Sequence, residues 1–224
     1  MFLTRITEPA VEPLTVAEGM AYGRVTNEEE TQDIADLIAS ARDVFEDFTG
    51  RALISQQWTL FSDDWNMRPV YTGREQNIAR PFFYNQGSYP YLRVRTIIIP
   101  RSPLISIDSI KYFDPSNVLQ TVAPTGVYSS FPSGVSSHGG VFLLDGQVWP
   151  AIANRPDAVQ VTFTAGYGSV PTAVPARMRQ ALRLMVHHYY DNRSSVVVER
   201  ATVDELPMTM RDIMIACRVE MVVT

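Results

Sequence analysis

TFTAGYGSVPTAVPARMRQAL, residues 162–182, passes from an alternating apolar stretch through Gly166-Tyr167-Gly168 into a helical pattern, and the reading of that junction decides the fold. A strand that leads through glycines into a helix is the layout of phosphate-binding loops. A dinucleotide fingerprint, however, needs a third glycine at the helix start and an acidic residue about 20 positions further on, and a P-loop needs Gly-Lys-Ser/Thr. Neither pattern is present. Pro171 and Pro175 move the helix start away from the glycines and remove two backbone donors that a phosphate would use. The glycines therefore read as a strand exit that needs unusual backbone dihedrals.

Upstream of this junction, residues 52–165 hold short β-like runs: ISQQWTLFS, RTIII, LISIDSIKYF, VLQTV, GVFLLD and AVQVTFTA. Turn pairs such as Asp114-Pro115, Ser133-Gly134 and Asp145-Gly146 separate them, which predicts a mainly antiparallel sheet. The first fifty residues read as two helices. Thr15 with Glu18, and Thr26 with Glu29, have capping-box spacing. In the second helix Ile34, Leu37, Ile38, Ala41, Phe45 and Phe48 recur at helical spacing, and Gly50 closes it. Downstream, Met178, Ala181, Leu182, Met185, Val186 and Tyr189 line one side of a helix that starts at Pro175, and Pro207 opens a last short one carrying Met210, Ile213, Met214 and Cys217. Helices at 15–50 and 175–218 around a β-rich 52–165 make an α+β chain, read as a single domain over 1–224.

The 224-residue chain is 46% hydrophobic and 19% charged, enough to bury a core without metals or disulfides. One cysteine excludes an internal disulfide, and MFLTRITEPA lacks the apolar core of a signal peptide. Assembly in a cytoplasm with no membrane contact is the expectation. A net charge of −5 argues against nucleic acid as the main ligand.

Six blocks then carry a resemblance: EPLTVAEGMAY, ARDVFEDFTGRALISQQW, RSPLISIDSIKYFDPSNVLQTV, WPAIANRPDAVQVTFTAGYG, VPARMRQALRLMVHHYYDNRSSVV and ELPMTMRDIMIACRV. In this order they resemble the head-tail connector, or adaptor, proteins of long-tailed bacteriophages. The resemblance implies a structural virion protein without catalysis or cofactor, located in the particle neck. Its subunits would form a ring beneath the portal, twelve copies by analogy with that partner, and offer a platform to the stopper or tail. DNA would pass through the ring's channel without specific binding. FTAGYG would be the hinge that positions each subunit.

Catalytic readings are weaker. His187 and Asp191 lie four apart on a helix, close enough to share a metal, with His188 adjacent. A metal-dependent enzyme using that pair is the remote alternative, behind a nucleic-acid-handling protein. His138 is distant, and histidines beside Tyr189 and Tyr190 pack at helix interfaces more often than they ligate. GVSSH at 134–138 lacks the final glycine of a nucleophile elbow. Cys217, on an apolar helix side, reads as a buried hydrophobe.

Two segments suit assembly. IMIACRVEMVVT, residues 213–224, is apolar; Ile213, Met214, Val219, Met221 and Val222 are candidate contacts with the portal, and folding back into the subunit is the equal alternative. Residues 64–95, for which the family offers no counterpart, interleave arginine with aromatics. There Phe82, Phe83 and Tyr84 are candidate anchors on a neighbouring subunit, with Arg74 and Arg80 paired to acids such as Glu28, Glu29, Glu30, Asp33 and Asp36. A solvated hairpin is the plain alternative.

Overall fold

The computed structural model describes residues 1–65, 96–133, 138–192 and 208–219. Its elements are β1 (Phe2–Thr7), α1 (Val16–Gly23), α2 (Thr31–Thr49), β2 (Gln56–Ser62), β3 (Thr96–Ile98), β4 (Leu104–Phe113), β5 (Leu119–Thr121), β6 (Tyr128–Phe131), β7 (Gly140–Leu143), β8 (Val159–Ala165), α3 (Ala176–Asp191) and α4 (Met208–Cys217). The α+β order expected from the sequence is the order observed. Strands β1 and β6 were not legible: FLTRIT and YSSF carry little apolar alternation, and pairing with β2 and β7 makes them strands.

The capping box ahead of α1 forms as read, with the Thr15 hydroxyl accepting from the Glu18 N–H at 3.2 Å and the Glu18 carboxylate accepting from the Thr15 N–H at 3.0 Å. The second expected box does not form. Asn27, not Thr26, accepts from the Glu29 N–H at 3.1 Å, so a 3-10 turn, Glu28–Glu30, precedes α2. An amide oxygen one residue later satisfies the first free donors, and the helix starts correspondingly later. Gly50 ends α2 at φ +71°, its N–H donating to the Glu46 carbonyl.

Five strands form one antiparallel sheet in the order β1-β2-β8-β4-β5, and three form a second, β3-β7-β6. Trp58, Leu60, Ile110, Val159, Val161 and Phe163 of the first sheet share one buried cluster with Ile97, Ile99 and Val141. A second cluster joins the helices through Ile34, Ile38 and Phe45 of α2, Ala181, Leu182 and Met185 of α3, and Met210 and Met214 of α4. Phe45 and Phe163 are fully buried, one in each cluster. Truncating either to alanine costs about 3–5 kcal/mol.

α2 and α3 run antiparallel: the Tyr190 hydroxyl at the end of α3 donates to the Glu30 carboxylate at the start of α2. The sheet meets the helices at the 162–182 stretch. Gly166 leaves β8 at φ +142°, and a Cβ there would stand 2.5 Å from the Ser55 backbone nitrogen, so this close approach requires glycine.

Candidate functional site and interaction surfaces

Three of the sequence blocks converge at that junction. Arg51, from FTGRAL, is buried and donates from Nε to the Cys217 carbonyl at 2.5 Å and from Nη1 to the Tyr167 hydroxyl at 2.7 Å. Tyr167 belongs to FTAGYG, and Cys217 ends α4. Backbone bonds interlace the same segments: Ala52 N–H to Ser102, Ser102 N–H to Gly50, Gly166 N–H to Pro103, Tyr167 N–H to Leu53 and Ser55 N–H to Gly168. A guanidinium on the last carbonyls of a helix is favourable to its dipole, so Arg51 fixes the end of α4 against the sheet–helix junction. Burial pushes the Tyr167 hydroxyl above its ordinary range, which keeps it neutral as an acceptor.

Beside the junction, Glu46 of α2 is fully buried and accepts at Oε1 from the Leu53 N–H (2.7 Å) and from Gln56 Nε2 (2.8 Å). Burial raises its carboxyl above the usual range. Arg5 of β1 and Arg101 each lie 4.8 Å over the Trp58 ring. Arg101 donates to the Glu46 carbonyl and the Asp47 carboxylate, both at 2.7 Å. These contacts tie α2 to the sheet.

His187 Nε2 and Asp191 Oδ2 stand 3.3 Å apart as a half-exposed pair, and among the described residues no three His, Cys, Asp or Glu side chains gather to hold a metal. His138 is buried next to Ser102, with Nδ1 3.4 Å from its hydroxyl. Ser133 Oγ donates to Ser102 Oγ at 3.2 Å and itself accepts from the N–H groups of Leu104 and Gly139, both at 2.9 Å. Burial lowers the His138 pKa to about 4, so the ring is neutral at pH 7. Ser102 is wholly buried, and the cluster ties Ser133 and Gly139 to the start of β4. Cys217 is buried and its thiol is pushed up by burial, away from nucleophilic use.

Of the candidate contact residues in the tail, Met214 and Val219 are buried within the subunit and Ile213 packs against the helical cluster. The Val219 N–H donates to the Thr49 carbonyl at 2.9 Å. Met221, Val222, Arg74, Arg80, Phe82, Phe83 and Tyr84 lie outside the described residues, as does 134–137 of GVSSH. Within 64–95, Trp65 belongs to the core. Its ring stacks on Trp149 at 4.5 Å and its Nε1 donates to the Pro150 carbonyl at 2.8 Å.

The helices carry exposed groups of both signs. Glu28 and Glu29 of the 3-10 turn and Asp33 and Asp36 of α2 are exposed, while Ile34, Ile38 and Ala41 of α2 are buried. On α3, Arg177 is exposed and Arg179 and Arg183 are partly so, both directed at the one Glu18 carboxylate of α1. Because α2 and α3 are antiparallel, their first turns lie at opposite ends of the pair.

No protein-family model matches the chain, and no curated protein matches it by sequence. Solved structures do. A chain of the virion of a native gene transfer agent (GTA) particle aligns over 100% of this chain and 98% of its own, at 20% identity and a TM-score of 0.72. The fold is shared with a virion chain. A chain in the neck of the empty GTA particle, computed with C6 symmetry, aligns with the same coverage at 18% identity and a TM-score of 0.71. One in the neck of the native GTA particle, computed with C12 symmetry, gives 17% and 0.68. At the level of fold this agrees with the family that the sequence blocks resemble.

Proposed function

We propose that this chain is a structural protein of the neck of a phage-like particle, an adaptor subunit that forms a ring between the portal and the tail or stopper. The end-to-end fold match with a GTA virion chain carries the reading, since a shared accessory domain would leave much of either chain uncovered. The interior supports it. Its polar groups serve as ties between segments, with His138 neutral and Cys217 buried, as in a subunit whose work is to hold shape.

In this reading copies of the chain surround the DNA channel, twelve by family resemblance, and the net charge of −5 lets DNA slide without being held. The portal lies on one side of the ring and the stopper or tail on the other; assembly takes place in the host cytoplasm, away from membranes. Met221 and Val222 make contact with the portal. The segment after Trp65 crosses to a neighbouring subunit, with Phe82, Phe83 and Tyr84 as anchors and Arg74 and Arg80 as ion-pair donors.

Removing the gene tests this. DNA-filled heads without tails, restored by supplying the chain in trans, are expected; normal tailed particles would refute the proposal.

A further inference from the structure

Between α2 and the β1 edge of the larger sheet, four polar atoms are buried without a hydrogen-bond partner: Glu46 Oε2, Gln56 Oε1, Arg5 Nε and Trp58 Nε1. Their residues are neighbours. Arg5 of β1 stands opposite Trp58 of β2 in the ladder, so the two side chains share a face of the sheet, and Gln56, two residues before Trp58, is on the same face. Gln56 Nε2 donates to Glu46 Oε1 at 2.8 Å, and the Arg5 guanidinium lies 4.8 Å over the Trp58 ring. Arg5 Nη2 approaches Glu46 Oε2 to 3.6 Å, too far for a direct hydrogen bond and the kind of gap that a bridging water closes. The terminal nitrogens of Arg5 already donate to Glu8 and Asp43, which leaves Nε with no partner inside the protein. Glu46, Gln56 and Trp58 are buried, so bulk solvent does not satisfy them either. Unpaired buried polar groups are costly, and four side by side call for a common partner.

We propose that an ordered internal water is bound among these four atoms, donating to Glu46 Oε2 and Gln56 Oε1 and accepting from Arg5 Nε and Trp58 Nε1. The donor set selects the ligand. Two of the atoms are acceptors and two are donors, the complement of a single water molecule, which donates twice and accepts twice. A cation would face the guanidinium groups of Arg5 and Arg101, each 4.8 Å from the Trp58 ring, and an anion would face the Glu46 carboxyl. A small neutral molecule with both functions meets neither repulsion. The water joins α2 to β1 and β2, and so adds a polar tie for an edge strand whose side chains are largely exposed. This site belongs to the subunit itself and does not depend on the ring reading.

The test uses the unaltered full chain. In a crystal structure at a resolution that shows ordered waters, a water peak is expected within about 2.7–3.2 Å of Glu46 Oε2 and of at least two of the other three atoms. In solution, the Trp58 indole N–H should show a nuclear Overhauser effect to water with the sign of a long-lived site. Its resonance is assigned by its loss in Trp58→Phe, or by elimination with Trp65→Phe and Trp149→Phe if that variant folds poorly. A peak that touches fewer of the four atoms, no peak at all, or no such effect at the Trp58 indole overturns the proposal. Contact of Glu46 Oε2 with Gln56 Oε1 at about 2.5–2.8 Å and no water between them would also overturn it, because Glu46 would then be a neutral acid donating directly to Gln56.

Discussion

At the scale of single residues, the buried polar side chains set the pH response. His138 has a folded pKa of about 4 against an unfolded value near 6.5, so its contribution is present above pH 6.5 and is lost as pH falls towards 4. Urea midpoints for the whole chain should fall between pH 7 and pH 4.5 by an amount equivalent to about 2–3 kcal/mol, and His138→Gln should flatten the decline. Glu46 works in the opposite sense: its raised folded pKa makes its contribution greatest below about pH 4.5 and smaller as pH rises through the folded value. Arg51→Met would leave the Cys217 carbonyl and the Tyr167 hydroxyl without their charged donor and should cost about 3 kcal/mol in chemical denaturation. An unchanged midpoint would remove Arg51 from its place as the tie between α4 and the junction.

At the scale of elements, the sheet–helix junction is where geometry is least tolerant. Gly166→Ala places a Cβ against the Ser55 backbone and should destabilise by about 3 kcal/mol or more, whereas Gly146→Ala, at φ +77° with open space around it, should cost only about 1 kcal/mol. Equal thermal shifts for the two would mean that the junction relaxes freely. Deleting residues 220–224 should leave the melting temperature within about 2 °C of the parent, while extending the deletion through Val219 should lower it, because that residue is buried and bonded to Thr49. Most of this level was legible beforehand. α2 announced itself by Ile34, Ile38, Ala41 and Phe45 at one angular position, and β8 by the strict alternation in VQVTFTA. β1 was not, because Phe2, Thr4 and Ile6 remain largely solvent-exposed and only the ladder to β2 defines it. The Thr26 box failed because Asn27 competes for the same donors one residue later. Arg51–Tyr167–Cys217 joins residues far apart in the chain, and no local pattern marks such a contact, although all three stand inside the blocks that carry the family resemblance.

At the scale of the molecule, a helical and a β-rich cluster meet at one junction. The fold is shared with GTA virion and neck chains. If the segment after Trp65 anchors on a neighbour, Phe82→Ala with Phe83→Ala should sharply lower the yield of tailed particles while thermal unfolding of the isolated subunit stays cooperative, since buried interface aromatics cost about 2 kcal/mol or more each when truncated. A normal yield would make that segment solvated decoration. The most direct measurement is a side-chain-resolution reconstruction of the particle neck by electron cryomicroscopy. The expected result is a closed ring of this chain between portal and tail; a fully traced neck containing no copy of the chain would contradict it.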